Sequence, residues 1–251
     1  MFKRTMTAII LVLLLTFVFM MGPTFIKWLL RFILFFSAIE IYRIKQDTWP
    51  LYILGYIMVV LLLSMSEVSL LSYLSLVLVS SLGIAVFSES INLEEITFIF
   101  LMMVILILAI DAVNNIMKLP MTVFIYIIIA TYATDTFAYL GGSLFGKHKL
   151  IERISPNKTV EGAVIGTVAS VLISLLFAHF YVDLDFNIIL ISSILMPIVA
   201  QIGDLSFSLI KRTFNIKDYG FLLPGHGGIL DRIDSILFTL LVFNAILIQF
   251  I

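Results

Sequence analysis

Apolar residues come in long unbroken runs along this chain, and polar residues come in short clusters between them. The runs cover residues 6–21, 25–39, 51–63, 70–86, 96–110, 121–140, 160–181, 188–202 and 233–251. A helix that crosses the hydrocarbon core takes about 20 residues, with roughly 17 as a working minimum. Several runs are marginal by that measure, the third most of all, so eight or nine transmembrane helices are expected. The fold class is therefore read as all-α, a polytopic helical membrane protein. The first run follows Lys3 and Arg4, as a signal peptide would, but it ends Phe19-Met20-Met21-Gly22-Pro23. Cleavage needs small residues there, so this run is expected to be an anchor.

Composition agrees with the pattern. Of 251 residues, 62% are hydrophobic and 12% charged, against about 45–50% and about 25% in ordinary globular domains. So little charge cannot coat a soluble particle, which excludes disorder, fibrous repeats and a water-soluble enzyme. The balance of 15 Lys+Arg against 16 Asp+Glu gives a net charge of −1; no basic field calls for nucleic acid, and none is expected as a partner. The absence of cysteine removes disulfides, thiolate zinc sites and cysteine nucleophiles.

The distribution of charge says more than its amount. With the N-terminus inside and nine crossings, Lys3, Arg4, Arg43, Lys45, Lys147, Lys149, Arg153, Lys158, Lys211, Arg212, Lys217 and Arg232 fall on one side, and Lys118 on the other. By the positive-inside rule the basic loops are cytoplasmic, which predicts a multi-pass protein of the cytoplasmic membrane with its site facing the cytoplasm. Lys27 and Arg31 lie inside the second run, and the pattern gives no account of them. Two helices separate segment 141–158 from segment 204–232, so both are expected on one face. Internal repeats and linkers are absent from the sequence. It reads as a single integral membrane domain over 1–251, with helices of unassigned role in 1–120 and catalytic helices and loops in 121–251.

The polar clusters lie mostly in the second half. Asp135 and Tyr139 are four apart, which puts them on one helical face. The plain alternative is an interfacial carboxylate beside an interfacial tyrosine, but an ionisable residue at membrane depth is a functional hypothesis by default. Gly141-Gly142-Ser143-Leu144-Phe145-Gly146-Lys147-His148 nearly fits the phosphate loop of nucleotide hydrolases. His148 stands where that loop needs a hydroxyl, and a membrane helix precedes it instead of a buried strand; the motif is rejected. A flexible loop with Lys147 and Lys149 can still meet anionic headgroups. Ser155-Pro156 reads as the N-cap and first residue of the seventh helix. Lys158 would then lie in the first turn of a phosphate-ready N-terminus. The plain alternative is an ordinary capped helix with Glu161 complementing its dipole; function is favoured because Glu161 would otherwise be buried in a first membrane turn without need.

The densest cluster is the last. Asp204, Ser208 and Lys211 lie at i, i+4 and i+7 on one helical face, followed by Arg212, Lys217 and Asp218. Gly225-His226-Gly227-Gly228 comes next, where missing Cβ atoms let a ligand approach the backbone. Asp231, Arg232 and Asp234 follow at the start of the last run. Carboxylates at helix ends suit magnesium, which binds one or two of them plus substrate phosphates. Lysine and arginine beside them stabilise a transferring phosphoryl or nucleotidyl group. A phosphate-monoester nucleophile is largely ionised at neutral pH, so no general base is required. That favours a lipid phosphate as nucleophile. His148 and His226 are candidate phosphate contacts, and His179 is assigned a structural role.

Residues 208–212, 217–220 and 223–234, the last reading Leu-Pro-Gly-His-Gly-Gly-Ile-Leu-Asp-Arg-Ile-Asp, resemble the signature of the phosphatidate cytidylyltransferases. Segments 135–139 and 155–162 resemble two further motifs of that family. The resemblance implies transfer of CMP from CTP to phosphatidate, giving CDP-diacylglycerol and pyrophosphate. It implies Asp204 and Asp231 as magnesium ligands, with a potassium ion as an optional neighbour. Lys158, Lys211, Arg212, Lys217, His226 and Arg232 would contact phosphates, and Asp135, Glu161, Ser208, Asp218, Gly227, Gly228 and Asp234 would help bind substrate. The expected partners are CTP, phosphatidate and the bilayer, and a homodimer is compatible with the chain. One departure stands out: Phe207 occupies a position where the family usually has glutamate. A CTP-dependent lipid kinase and an enzyme of CDP-linked isoprenoids are the near rivals. A transporter would place polar residues near mid-membrane in both halves, and here they crowd the C-terminal half.

Overall fold

The computed structural model describes residues 17, 20–66, 68–222 and 227–250. The expected anchor at 6–21 therefore lies mostly outside the described residues, as do Lys3 and Arg4. The described chain is mostly helical: α1 (Pro23–Arg43), α2 (Leu51–Leu63), α3 (Leu70–Phe87), α4 (Leu93–Ile116), α5 (Met121–Phe145), α6 (Val160–Tyr181), α7 (Phe186–Thr213) and α8 (Leu230–Phe250). A two-stranded hairpin, β1 (Lys149–Ile151) and β2 (Ser155–Thr159), lies between α5 and α6. Six helices, α3 to α8, are long and apolar enough to cross a membrane. The α2 helix has 13 residues and falls short, as its run predicted.

The chain forms two compact units, Met1–Asp111 with Ile216–Arg232, and Ala112–Asn215 with Ile233–Ile251. In the first unit, Ile41, Ile53, Ile57, Leu61, Ile96 and Ile99 are fully or almost fully buried. The start of α4 is fixed by a reciprocal cap: the Glu95 amide donates to Asn92 Oδ1 and the Asn92 amide to Glu95 Oε2. Lys45 Nζ donates to the other oxygen of Glu95. Between α2 and α3, where lipid offers no hydrophobic drive, polar side chains hold the helices together; Tyr56 Oη meets Ser80 Oγ at 2.9 Å and Ser81 Oγ at 2.7 Å.

The second unit is built on close backbone packing. The buried residues of α6 are Gly162, Gly166, Ser170, Ser174 and Ala178, a small residue every fourth position. A Cβ on Gly162 would lie 2.5 Å from the Ala138 carbonyl oxygen, and one on Gly166 would lie 2.7 Å from that of Thr134. So α5 and α6 touch backbone to backbone, and Ser170 Oγ donates to the Ala130 carbonyl at 2.7 Å. Farther along, Tyr126 Oη donates to the Ile189 carbonyl at 3.0 Å, tying α5 to α7.

Two local expectations are corrected here. Ser155-Pro156 does not start a helix. Residues 155–159 form β2, antiparallel to β1 with Lys149 opposite Thr159 and Ile151 opposite Ser155. Proline is tolerated in a hairpin edge, and the helix start belongs to Thr159, whose Oγ1 accepts from the Gly162 amide at 3.2 Å. Nor is 141–145 a loop. The α5 helix runs through Gly141 and Gly142 to Phe145, because absent side chains there leave room for Ile165 and Thr159.

Candidate active site

In the second unit four elements deliver charge to one place. The α7 helix carries Asp204, and β2 carries Lys158, whose Nζ forms an ion pair with Asp204 Oδ2. Both side chains of this pair remain 28–29% exposed, so a solute can reach them. One turn after Asp204, Ser208 Oγ donates weakly to Asp204 Oδ1 at 3.4 Å. The α5 helix brings Asp135, which interacts with Asp204 and Lys158 and hydrogen-bonds Ser235 on α8. The α8 helix brings Asp234, which interacts with Asp204, Asp135 and Lys211. Asp234 is buried, and its Oδ1 accepts from the Ser235 amide at 2.8 Å.

Packing explains why these side chains meet. A Cβ on Gly203 would lie 2.8 Å from the Asp234 carbonyl oxygen; its absence lets α7 and α8 approach where each bears an aspartate. Beside it, Phe207 is fully buried with its ring edge-on to Phe238, centroids 6.5 Å apart. The position that departs from the family pattern thus serves as an aromatic contact between α7 and α8. Tyr139 is 75% exposed; the groups that meet Asp135 come from other elements, not from this helical neighbour.

The hairpin is held over the end of α7. Arg212 Nε donates to the Ile154 carbonyl at 3.2 Å, and Lys149 Nζ donates to the Pro156 carbonyl. Together with the Lys158–Asp204 pair, this places the 149–159 segment and the end of α7 at one end of the unit. Glu161 serves the same local architecture. Its carboxylate accepts from the Lys147 amide at 3.0 Å and from the His148 amide, and meets His148 Nδ1 at 2.6 Å. The amides that a phosphate loop would turn toward a ligand are here turned toward Glu161.

In the first unit, Asp231 Oδ2 accepts from the Tyr219 amide at 2.8 Å and from the Gly228 amide at 3.0 Å. Gly227 has φ +80°, where a Cβ would be strained and would also lie 2.9 Å from Asp231 Oδ2 and 3.4 Å from Asp218 Oδ1. Asp218, Gly227, Gly228 and Asp231 are therefore neighbours, whereas Lys217 and Arg232 are exposed on the same segment. His226 lies outside the described residues. Sequence reasoning passed over Glu40, a buried acid on α1 whose oxygens accept from the Ile229 and Leu230 amides at 2.8 and 2.9 Å. A lone glutamate near the end of an apolar run was the available signal.

Asp135, Asp204 and Asp234 share the second-unit cluster with Lys158 and Lys211. Among the described residues no three His, Asp or Glu converge as a cage. Oxygen donors without a full cage fit magnesium, which fills its shell with water and substrate phosphate.

A model described as the Cytidylyltransferase family matches residues 2–250. The phosphatidate cytidylyltransferase of Staphylococcus haemolyticus is 47% identical over 127 residues, 50% of this chain and 48% of that protein. That of Staphylococcus saprophyticus is 48% identical over 129 residues, again 50% and 48%, and that of Staphylococcus aureus strain COL is 46% identical over 127 residues with the same coverage. The chain thus spans about half the length of the curated relatives it matches.

Proposed function

The chain belongs to the cytidylyltransferase family, and from that premise we propose that it transfers CMP from CTP to phosphatidate, releasing pyrophosphate and forming CDP-diacylglycerol. The observation that carries this reading is the convergence of Asp135, Lys158, Asp204, Lys211 and Asp234 from four elements at one end of the second unit. In the proposed reaction a phosphate oxygen of phosphatidate attacks the α-phosphorus of CTP, and the bond to the bridging oxygen of the β-phosphate breaks. In this reading Lys158 and Lys211 would balance phosphate charge near Asp204, and the exposed Lys217 and Arg232 would meet the triphosphate or the lipid headgroup. Asp204 and Asp231 are the proposed magnesium ligands; when bound, magnesium would neutralise repulsion between the two substrates. Potassium beside it stays part of the proposal, with Phe207 offering no oxygen toward it.

The finer topology belongs to the same reading: eight or nine crossings, the Lys158 end of the second unit facing the cytoplasm, and a homodimer as one assembly. CTP is a cytoplasmic solute and phosphatidate a membrane lipid, so an apolar chain with charge at one end suits both. The test is purified protein with magnesium, phosphatidate and CTP labelled at the α- or the γ-phosphate. Label from the α-phosphate in CDP-diacylglycerol, with pyrophosphate released, supports the proposal. Label from the γ-phosphate in lipid would show a kinase and refute it.

A further inference from the structure

We propose that Glu40 is a positioning residue that sets the turn from Gly227 to Asp231, and through it the Asp231 carboxylate. The inference rests on the reading of Asp231 as part of the site and adds a residue from the opposite end of the sequence. Glu40 is 3% exposed, a costly place for a carboxylate unless its oxygens are hydrogen-bonded. They are: Oε1 accepts from the Ile229 amide at 2.8 Å and Oε2 from the Leu230 amide at 2.9 Å. These are among the N–H groups that a helix cannot satisfy internally at its first turn. Two amides at the α8 N-terminus are thus already taken by a side chain of the protein itself, where they could have held a substrate phosphate.

The surroundings are cut to fit that carboxylate. A Cβ on Gly220 would lie 2.6 Å from Glu40 Oε1, and a Cβ on Gly228 would overlap the same oxygen. Gly228 is the pivot. Its Cα faces Glu40, and its amide donates to Asp231 Oδ2. Asp231 also takes the amide of Tyr219, next to Gly220. Two carboxylates therefore hold this turn, Glu40 through the amides of residues 229 and 230 and Asp231 through those of residues 219 and 228. Without Glu40 two buried amides lose their acceptor, and the turn relaxes in the direction that carries Asp231 with it.

The test compares wild type, Glu40→Gln and Glu40→Ala in detergent or nanodiscs, reading CDP-diacylglycerol synthesis and amide hydrogen exchange. Gln keeps the shape and one acceptor oxygen, so it decides the matter even where Ala fails to fold. The expected result is a kcat per folded molecule lowered about 10- to 100-fold with the KM for phosphatidate unchanged. Substrate-free exchange should rise at Tyr219, which Glu40 does not bond, as well as at Ile229 and Leu230. A purely structural Glu40 would lower the yield of folded protein and leave kcat per folded molecule at the wild-type value. That value in Glu40→Gln, or unchanged exchange at Tyr219, would overturn the proposal. If the wild-type protein makes no CDP-diacylglycerol, the reading of the reaction fails, while exchange at Tyr219 still decides the role of Glu40.

Discussion

Replacing Lys158 by methionine separates catalysis from stability, because the structure gives the two effects different sizes. The lysine pairs with Asp204 while both side chains stay 28–29% exposed. Ion pairs that water can reach contribute about 0–1 kcal/mol to stability, and methionine retains most of the aliphatic stem. The melting temperature should therefore fall by only about 2–4 °C, the shift that about 1 kcal/mol produces in a chain of this size. Turnover should respond far more. Removing one preorganised group that faces developing transition-state charge typically costs about 10²- to 10³-fold, or about 2.7–4 kcal/mol. It also leaves Asp135, Asp204 and Asp234 with Lys211 as the lysine of their cluster. The assay is incorporation of α-labelled CTP into lipid at saturating phosphatidate, with thermal unfolding followed on the same preparation. Turnover within threefold of wild type would refute the placement of Lys158 at the reacting phosphates. A fall of more than about 10 °C would show that the pair is chiefly structural.

Two further substitutions probe the packing that brings the site together. Gly166→Val puts side-chain atoms where the Thr134 carbonyl lies 2.7 Å from the Cβ position; overpacking of this kind costs about 1–3 kcal/mol or more, so monodisperse protein on gel filtration should largely disappear, and normal recovery would contradict the close α5–α6 contact. Phe207→Glu restores the residue usual in the family, yet it would bury a carboxyl where a ring now meets Phe238. Burying a polar group without a partner costs roughly 2–7 kcal/mol, so the melting temperature should drop sharply; an unchanged melting temperature would mean that this position opens to water or to an ion.

Much of the fold was legible because lipid imposes a simple rule: spans must be long, apolar and helical. The runs therefore located α3 to α8, and their residual charge pointed to Asp135, Lys158, Asp204 and Asp234, which the structure brings together. The errors have local physical causes. Ser155-Pro156 carries the chemistry of a helix start, but pairing between β1 and β2 took that segment, and Thr159 became the cap. Gly141-Gly142 reads as loop by propensity; in the structure tertiary contact with α6 makes glycine the residue that lets the helix continue. Glu40 escaped notice because its partners are backbone amides 189 and 190 residues away, and a backbone amide leaves no mark on a sequence. Glu161, in the first turn of α6, also orders residues 147 and 148 by accepting from their amides, a contact that the sequence did not announce.

The α6 helix carries two interleaved four-residue repeats. Gly162, Gly166, Ser170, Ser174 and Ala178 are buried, whereas Val164, Val168, Leu172, Leu176 and Phe180 are exposed. The bilayer therefore reads one repeat and the protein reads the other. Drift toward larger apolar residues is harmless on the exposed repeat and would even favour insertion. On the buried repeat the same change would also favour insertion, yet it would wedge α5 away and carry Asp135 off with it. Selection for a better membrane span and selection for a working enzyme thus oppose each other within one helix, two residues apart.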